Sequence, residues 1–347
     1  MNKQTIITIL LTFKSIEMLA QQVMLADSVN KNPVSYATVY DANGNAIGRS
    51  DMGGYIHLQK GFEYHISHIS YEPKSLVYNE DSIIFLSPSS YNISEVTVTA
   101  KKKKYYHCKV YFRSIEHVDS CLKYYMDGIR EFYIDTKSKK VHCGNVVTNY
   151  FMSKRQDIAQ KKRSMMMGDR YMALPFLDKN TLYEETMRDN KRNIEIPDES
   201  SPTRNLSGVV YAESIPIGSC EVFSDKNEML LSINALFPKT SLVTKLFGYT
   251  QVLSKHNKTE LYRYDDFNAP SVFNLKSSNS YRHLTLTYKK ENLVRDIDVE
   301  DVFFVVEHEY TDTRESSSSE LLQEDYKKYS GMFPLTERIR EQLVREE

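Results

Sequence analysis

The triplet Glu307-His308-Glu309 brings together two carboxylates and an imidazole, the groups that acid–base catalysis and metal binding use. On an extended strand the two carboxylates would share one face and His308 would take the other, so the three could not hold one ion. His65 and His68 meet the same objection, because an odd spacing on a strand separates them. Gly218-Ser219-Cys220 sets a nucleophile beside an expected turn, but it lacks the G-x-S-x-G elbow and any defined His partner; a structural turn with a buried Cys is the favoured reading. Asp265-Asp266 and Glu184-Glu185 are adjacent acids of the kind common on solvated surface, whereas glycosidase carboxylates are brought together by folding. There is no H-E-x-x-H and no Gly-rich phosphate loop. The sequence therefore designates no catalytic, cofactor-binding or metal-binding residue, and no cofactor. Met165-Met166-Met167, flanked by Lys161, Lys162, Arg163 and Arg170, reads first as packing and second as a soft surface for a partner or ligand.

Cys108, Cys121, Cys143 and Cys220 are the four cysteines. None stands in a C-x-x-C pair; they allow three pairings into two disulfides, or they are buried thiols. Charged residues make up 26% of the 347-residue chain and hydrophobic ones 41%, a globular balance with enough length for two domains. The net charge of -1 gives no case for nucleic acid, which demands an excess of Lys and Arg.

The elements that must carry these groups begin with a β-rich stretch. Val34, Tyr36, Thr38 and Tyr40 alternate into Asn43-Gly44-Asn45, a strand entering a tight turn, and Gly53-Gly54 offers a second reversal. Tyr55-Ile56-His57-Leu58, residues 64–69 and Ile83-Ile84-Phe85-Leu86 continue the series, giving a small β-sandwich. These residues resemble the carboxypeptidase regulatory-like domain, a transthyretin-like sandwich. The resemblance rests on Pro33-Val34 with Ala37 and Val39, on Gly48 to Leu58, on Ile66 to Glu72, and on Leu86 with Ser94 to Ala100. Ser70 and Ala26 stand where that family usually has Gly. It implies a non-catalytic appendage of an exported envelope protein. Ser94 to Ala100 also looks like the stretch preceding the plug of TonB-dependent receptors, although the plainer reading is a last alternating strand. The residues that follow are too few for both a plug and a 22-stranded barrel at about 9–11 residues per strand.

Lys3 before the apolar run Thr5 to Phe13 predicts a signal peptide over residues 1–20, hence export to the periplasm, outer membrane or cell surface, with no transmembrane span in the mature chain. The expected organisation is then a sandwich over 21–100, a basic linker Lys101-Lys102-Lys103-Lys104, and a larger α+β domain with an antiparallel sheet over 105–347, the whole mainly β. In that domain residues 109–112, 128–134, 141–151, 208–215, 282–289 and 302–310 read as strands. Leu182 to Arg188, Glu228 to Leu236 and Leu321 to Tyr329 read as helices, and Leu335, Ile339 and Leu343 as the stripe of a terminal one. Residues 186–208 and 311–320 read as exposed loops. A curved sheet of this kind could hold a lipid or other hydrophobic ligand. The favoured function is a non-enzymatic envelope protein that binds another envelope protein or a small hydrophobic ligand. A hydrolase whose site is assembled by folding and a TonB-linked transport or signalling accessory are the alternatives.

Overall fold

A computed structural model describes residues 20–89, 103–153, 171–195, 206–224, 226–246, 248–264, 269–288, 293–331 and 342–345. Residues 1–19 of the expected signal peptide, Lys101 and Lys102 of the expected linker, the Ser94 to Ala100 stretch, Asp265-Asp266 and the three consecutive methionines lie outside the described residues. The chain is mainly β and forms two compact units, Met1–Ser89 and Ser90–Glu347.

Among the described residues the first unit holds seven strands: β1 Gln21–Asp27, β2 Thr38–Asp41, β3 Ala46–Arg49, β4 Tyr55–Leu58, β5 Glu63–His68, β6 Tyr71–Val77 and β7 Ile83–Leu86. They form two sheets, ordered β4-β1-β7 and β3-β2-β5-β6; only β1 and β7 pair in parallel. Apolar residues at alternate positions, among them Val23, Leu25, Val39, Ile66 and Ile84, form one core. The Tyr71 hydroxyl donates to buried Asp27 Oδ2 at 3.0 Å. Gly54 takes φ 78°, and a Cβ there would come within 2.7 Å of the Leu25 carbonyl oxygen, so only glycine allows β1 and the turn before β4 to approach this closely.

The second unit is dominated by one sheet. Its strands are β8 Tyr105–Val118, β9 Cys121–Asp135, β10 Val141–Ser153, β11 Arg192–Glu195, β12 Leu206–Ala212, β13 Ile215–Phe223, β14 Glu228–Asn234, β15 Leu242–Leu246, β16 Tyr249–Arg263, β17 Leu275–Tyr288, β18 Leu293–Thr311 and β19 Leu343–Arg345. The order is β11-β12-β13-β14-β16-β17-β18-β8-β9-β10-β19, with β15 paired to β16 and every pair antiparallel. Among the described residues two helices accompany it, α1 Leu182–Arg188 and α2 Ser319–Ser330. Among the described residues no helix is long and apolar enough to cross a membrane, which says nothing about spanning by strands.

The sheet curls. α1 makes an ion pair through Glu184 with Lys139, between β9 and β10, and it also packs on β11. A flat row from β11 to β9 would measure roughly 40 Å at ~4.8 Å per strand, whereas seven helical residues span only about 10 Å. One face therefore turns inward. It carries the main core, with Cys108 and Val110 of β8, Phe132 of β9, Val210 of β12, Cys220 of β13 and Leu231 of β14, together with Leu177 and Leu182.

Both expected helices that fall on α1 and α2 form, and their starts have physical causes. Thr181 and Glu184 make a reciprocal capping box, with the Glu184 amide donating to Thr181 Oγ1 at 3.2 Å and the Thr181 amide to Glu184 Oε2 at 3.0 Å. Ser318 Oγ accepts from the Leu321 amide at 3.2 Å. Glu228 to Leu236, expected as a helix, is instead β14 up to Asn234, because both of its faces are buried: Met229, Leu231 and Ile233 on one, Leu230 and Ser232 on the other. Leu343, expected on a terminal helix, lies on β19 paired with Ser153. The expected loop 186–208 is shortened by the end of α1, by β11 and by the start of β12.

Candidate functional site

Three neighbouring strands place polar side chains in the middle of the otherwise apolar inner face. On β16 these are His256, Lys258 and Glu260; on β17, Arg282, Ser280 and Ser278; on β18, Asp301 alone, between the apolar Val299 and Phe303, all in direct register across the ladders. At one end of this belt the same strands supply Leu284, Leu286, Ile297 and Val299 to a small apolar cluster. At the other end they supply Tyr262, Leu275 and Val305 to the main core. The register of β16–β18 therefore holds a polar band between two greasy ones.

Residues 171–182 cross beside the band and, with it, line a half-open cavity of about 330 Å³. The strap is tied to the sheet by charged groups. The Tyr171 amide donates to Glu116 Oε2 at 2.7 Å, Arg282 donates to the Tyr171 carbonyl at 2.9 Å, and Arg130 donates to the Pro175 carbonyl at 2.9 Å. At its far end the Leu182 amide donates to Glu260 Oε2 at 2.9 Å and the Tyr183 amide to the Tyr262 hydroxyl at 3.1 Å. Leu174, Leu177, Leu275 and Phe303 give the cavity apolar walls, and Phe176, 69% exposed, marks its rim.

The charges in the band are unequally satisfied. Burial raises the Glu260 carboxyl above its ordinary value, opposed by hydrogen bonds from Tyr262 and the Leu182 amide. Burial likewise raises Asp301, which accepts from Arg282 at 2.6 Å and from Ser114. Burial and the neighbouring cations Lys258 and Arg282 push His256 down to about 4, so at neutral pH it is an uncharged ring 3.2 Å from Ser280 Oγ. Lys258 makes no direct hydrogen bond or close ion pair with another described residue, and its charge acts at longer range to lower the Glu260 carboxyl.

A second constellation lies on the outer face, where α2 packs beside β8, β9 and β18 around a cleft of about 580 Å³. His107 stands 3.3 Å from Glu131 and 3.2 Å from Glu309, and stacks on Tyr133 with ring centres 4.4 Å apart. Ser317 Oγ donates to Glu131 at 2.6 Å. Burial works to raise Glu131, but the hydrogen bonds from His107 and Ser317 outweigh it and hold the carboxyl below its usual value. Lys109 bridges Asp325 at 2.6 Å and Glu307 at 3.2 Å, and Lys328 and the Tyr329 hydroxyl also reach Glu307. Ser317 gives its proton to the Glu131 carboxylate and not to the imidazole, so His107 does not activate this serine.

The residues singled out in the sequence are dispersed. Glu307 and Glu309 face the outer cleft, and His308 points inward, 2.7 Å from Arg263 and stacked on Tyr106; burial and Arg263 push it down to about 4. His65 and His68 do part, His65 beside Ser75 Oγ at 2.7 Å and His68 buried. Gly218-Ser219-Cys220 is mid-strand in β13, not a turn, and burial pushes the Cys220 thiol up to about 12. All four cysteines are free, with Cys108 and Cys220 buried and Cys121 and Cys143 exposed, so none of the candidate disulfides forms. Glu184 is a helix cap. Among the described residues no group of three His, Cys, Asp or Glu is placed to hold a metal ion.

The cavity residues His256, Lys258, Ser278, Ser280, Arg282 and Asp301 were not marked by any motif. Their only local signal is the run of polar residues at alternate positions of two long strands, which reads equally as a solvent face. Compared with family models and with curated proteins, the chain matches none.

Proposed function

We propose that this is an exported, non-catalytic envelope protein whose second unit binds a small ligand in the inner-face cavity, and whose first unit is an interaction module of the carboxypeptidase regulatory-like kind. The observation that carries the binding reading is the polar band of β16–β18 lying between two apolar clusters beside a strap. Placing charged groups in the middle of an apolar face costs several kcal/mol in folding unless each is compensated, and a bound ligand completes that compensation. The cavity lies at the lower end of the range for small-molecule sites, ~300–1,000 Å³. The two-sheet arrangement of β1–β7 supports the reading of the first unit.

The test is to purify the chain from its native envelope and compare its mass under native and denaturing conditions, with extraction of any released compound. A small species released stoichiometrically, whose return perturbs the amide signals of β16 and β17, is the expected result. Release of nothing, together with no response of those signals to a library of small organic probes, would remove the binding reading. The hydrolase alternative draws on His107 and Glu131 of the outer cleft. Turnover of generic ester substrates that disappears in H107Q would promote it. Export is checked by sequencing the amino terminus of the mature chain after cell fractionation.

A further inference from the structure

We propose that the ligand of the inner cavity is a small amphipathic anion, of the chemical class of a single-chain carboxylate, with its head on Lys258 and its apolar body against Leu177, Leu275 and Phe303. This inference rests on the binding reading above and names the ligand's chemistry. It follows from accounting for each charge that lines the cavity. Arg282 is used by Asp301 and by the Tyr171 carbonyl. Asp301 is used by Arg282 and Ser114, and Glu260 by Tyr262 and the Leu182 amide. His256 is neutral and directed at Ser280. Lys258 is left as the lining cation with no direct hydrogen bond or close ion pair to a described residue; its charge reaches Glu260 only at longer range, that carboxylate being held by Tyr262 and the Leu182 amide, and it is only partly exposed. An ammonium in that position gains most from a carboxylate, because pairing restores what desolvation removes.

The register sharpens the assignment. Lys258 lies directly opposite Ser280, and Glu260 opposite Ser278, so two hydroxyls flank the ammonium on the next strand and can donate to the second oxygen of a bound carboxylate. Phe303 follows opposite Ser278 on β18, which makes the wall apolar within one strand of the proposed head site. A cavity of about 330 Å³ takes one short acyl chain or one ring system and is too small for the paired chains of a phospholipid.

The experiment titrates the full chain with octanoate and with octanol, by calorimetry and by amide chemical shifts, in wild type, K258Q and S278F. Octanoate is expected to bind wild type at least tenfold more tightly than octanol. K258Q is expected to remove that preference and leave octanol unchanged, and S278F, which fills the cavity, to abolish both. Equal binding of the two probes, insensitive to K258Q but lost in S278F, would overturn the anion assignment and leave the cavity reading in place. Binding of either probe that survives in a folded S278F protein, or no binding at all, would overturn both. Should S278F fail to fold, S280L provides the same block from the neighbouring position on β17.

Discussion

Lys109 of β8 meets Asp325 of α2 at 2.6 Å although 216 positions separate them, and both side chains are almost wholly removed from solvent, at 11% and 12% exposure. Together with Tyr326, whose hydroxyl donates to Asp127 at 3.1 Å, this pair fastens α2 to the sheet largely through polar contacts. Leu322 and Tyr329 are its buried apolar anchors.

Removing one side of the pair should loosen α2. K109M is expected to destabilise the second unit by roughly 2–4 kcal/mol, since it leaves Asp325 desolvated without its cation, and D325N by less, since Lys109 keeps Glu307 at 3.2 Å. The double replacement should cost less than the sum of the two. Chemical denaturation of the four proteins gives the coupling directly, and strict additivity would contradict a specific bond.

Thiol chemistry should divide the cysteines two and two. Cys121 and Cys143 are exposed and should react with a thiol reagent in the folded protein. Cys108 and Cys220 are buried, with burial pushing both thiols up to about 12, and should react only on unfolding. Four fast-reacting thiols, or none, would contradict this packing.

Stability should depend on pH most through the two histidines that burial depresses furthest. His256 and His308 sit near 4 when folded, against an ordinary 6.5, so the unfolded chain takes up protons first as pH falls. Their contribution is present above 6.5 and is lost between 6.5 and about 4. Each should be worth on the order of 1–2 kcal/mol, with allowance for partial solvent access. His283, raised by its bond to Asp298, works the other way, and so do the raised carboxyls Asp127, Glu260 and Asp301. The measurement is therefore the difference between wild type and H256Q or H308Q, whose denaturation midpoints should lose less on going from pH 7 to pH 4 (about the ordinary and the depressed values, respectively).

Gly128 and Gly218 should tolerate no side chain. A Cβ at Gly128 would stand 2.0 Å from the Val147 carbonyl oxygen, and one at Gly218 2.0 Å from that of Ser232. G128A and G218A are expected to cost roughly 3 kcal/mol or more, because the obstacle is neighbouring backbone, not a mobile side chain. A thermal melt unchanged by either would refute the close strand approach.

The turns at Asn43-Gly44 and Gly53-Gly54 made the adjoining strands of the first unit legible, although the strand expected from Val34 begins only at Thr38, because Tyr36 takes a left-handed φ of 61°. Leu182 to Arg188 was legible too, because its capping box acts within four residues. Glu228 to Leu236 misled: a short run apolar on every side fits a buried helix or a strand covered on both faces, and only the tertiary setting decides. The cavity was hidden for a different reason. Lys258, Ser280 and Asp301 are aligned by strand register, so their proximity is a property of pairing across hairpins and leaves no spacing to read.

The ladder between β8 and β18 joins one of the first strands of the large sheet to the last long one, from Ile297 against Val118 to Thr311 against Tyr105. During synthesis β8, β9 and β10 can zip as hairpins early, yet β8 keeps a long unpaired edge until β18 emerges. Contacts of such high sequence separation are slow to form, because the intervening loop must be closed before they reward it. The exposed edge is meanwhile a template for pairing with another nascent chain. This protein should therefore depend on escorts that shield β edges while it matures, and its yield on refolding should fall steeply with concentration even where the finished fold is stable.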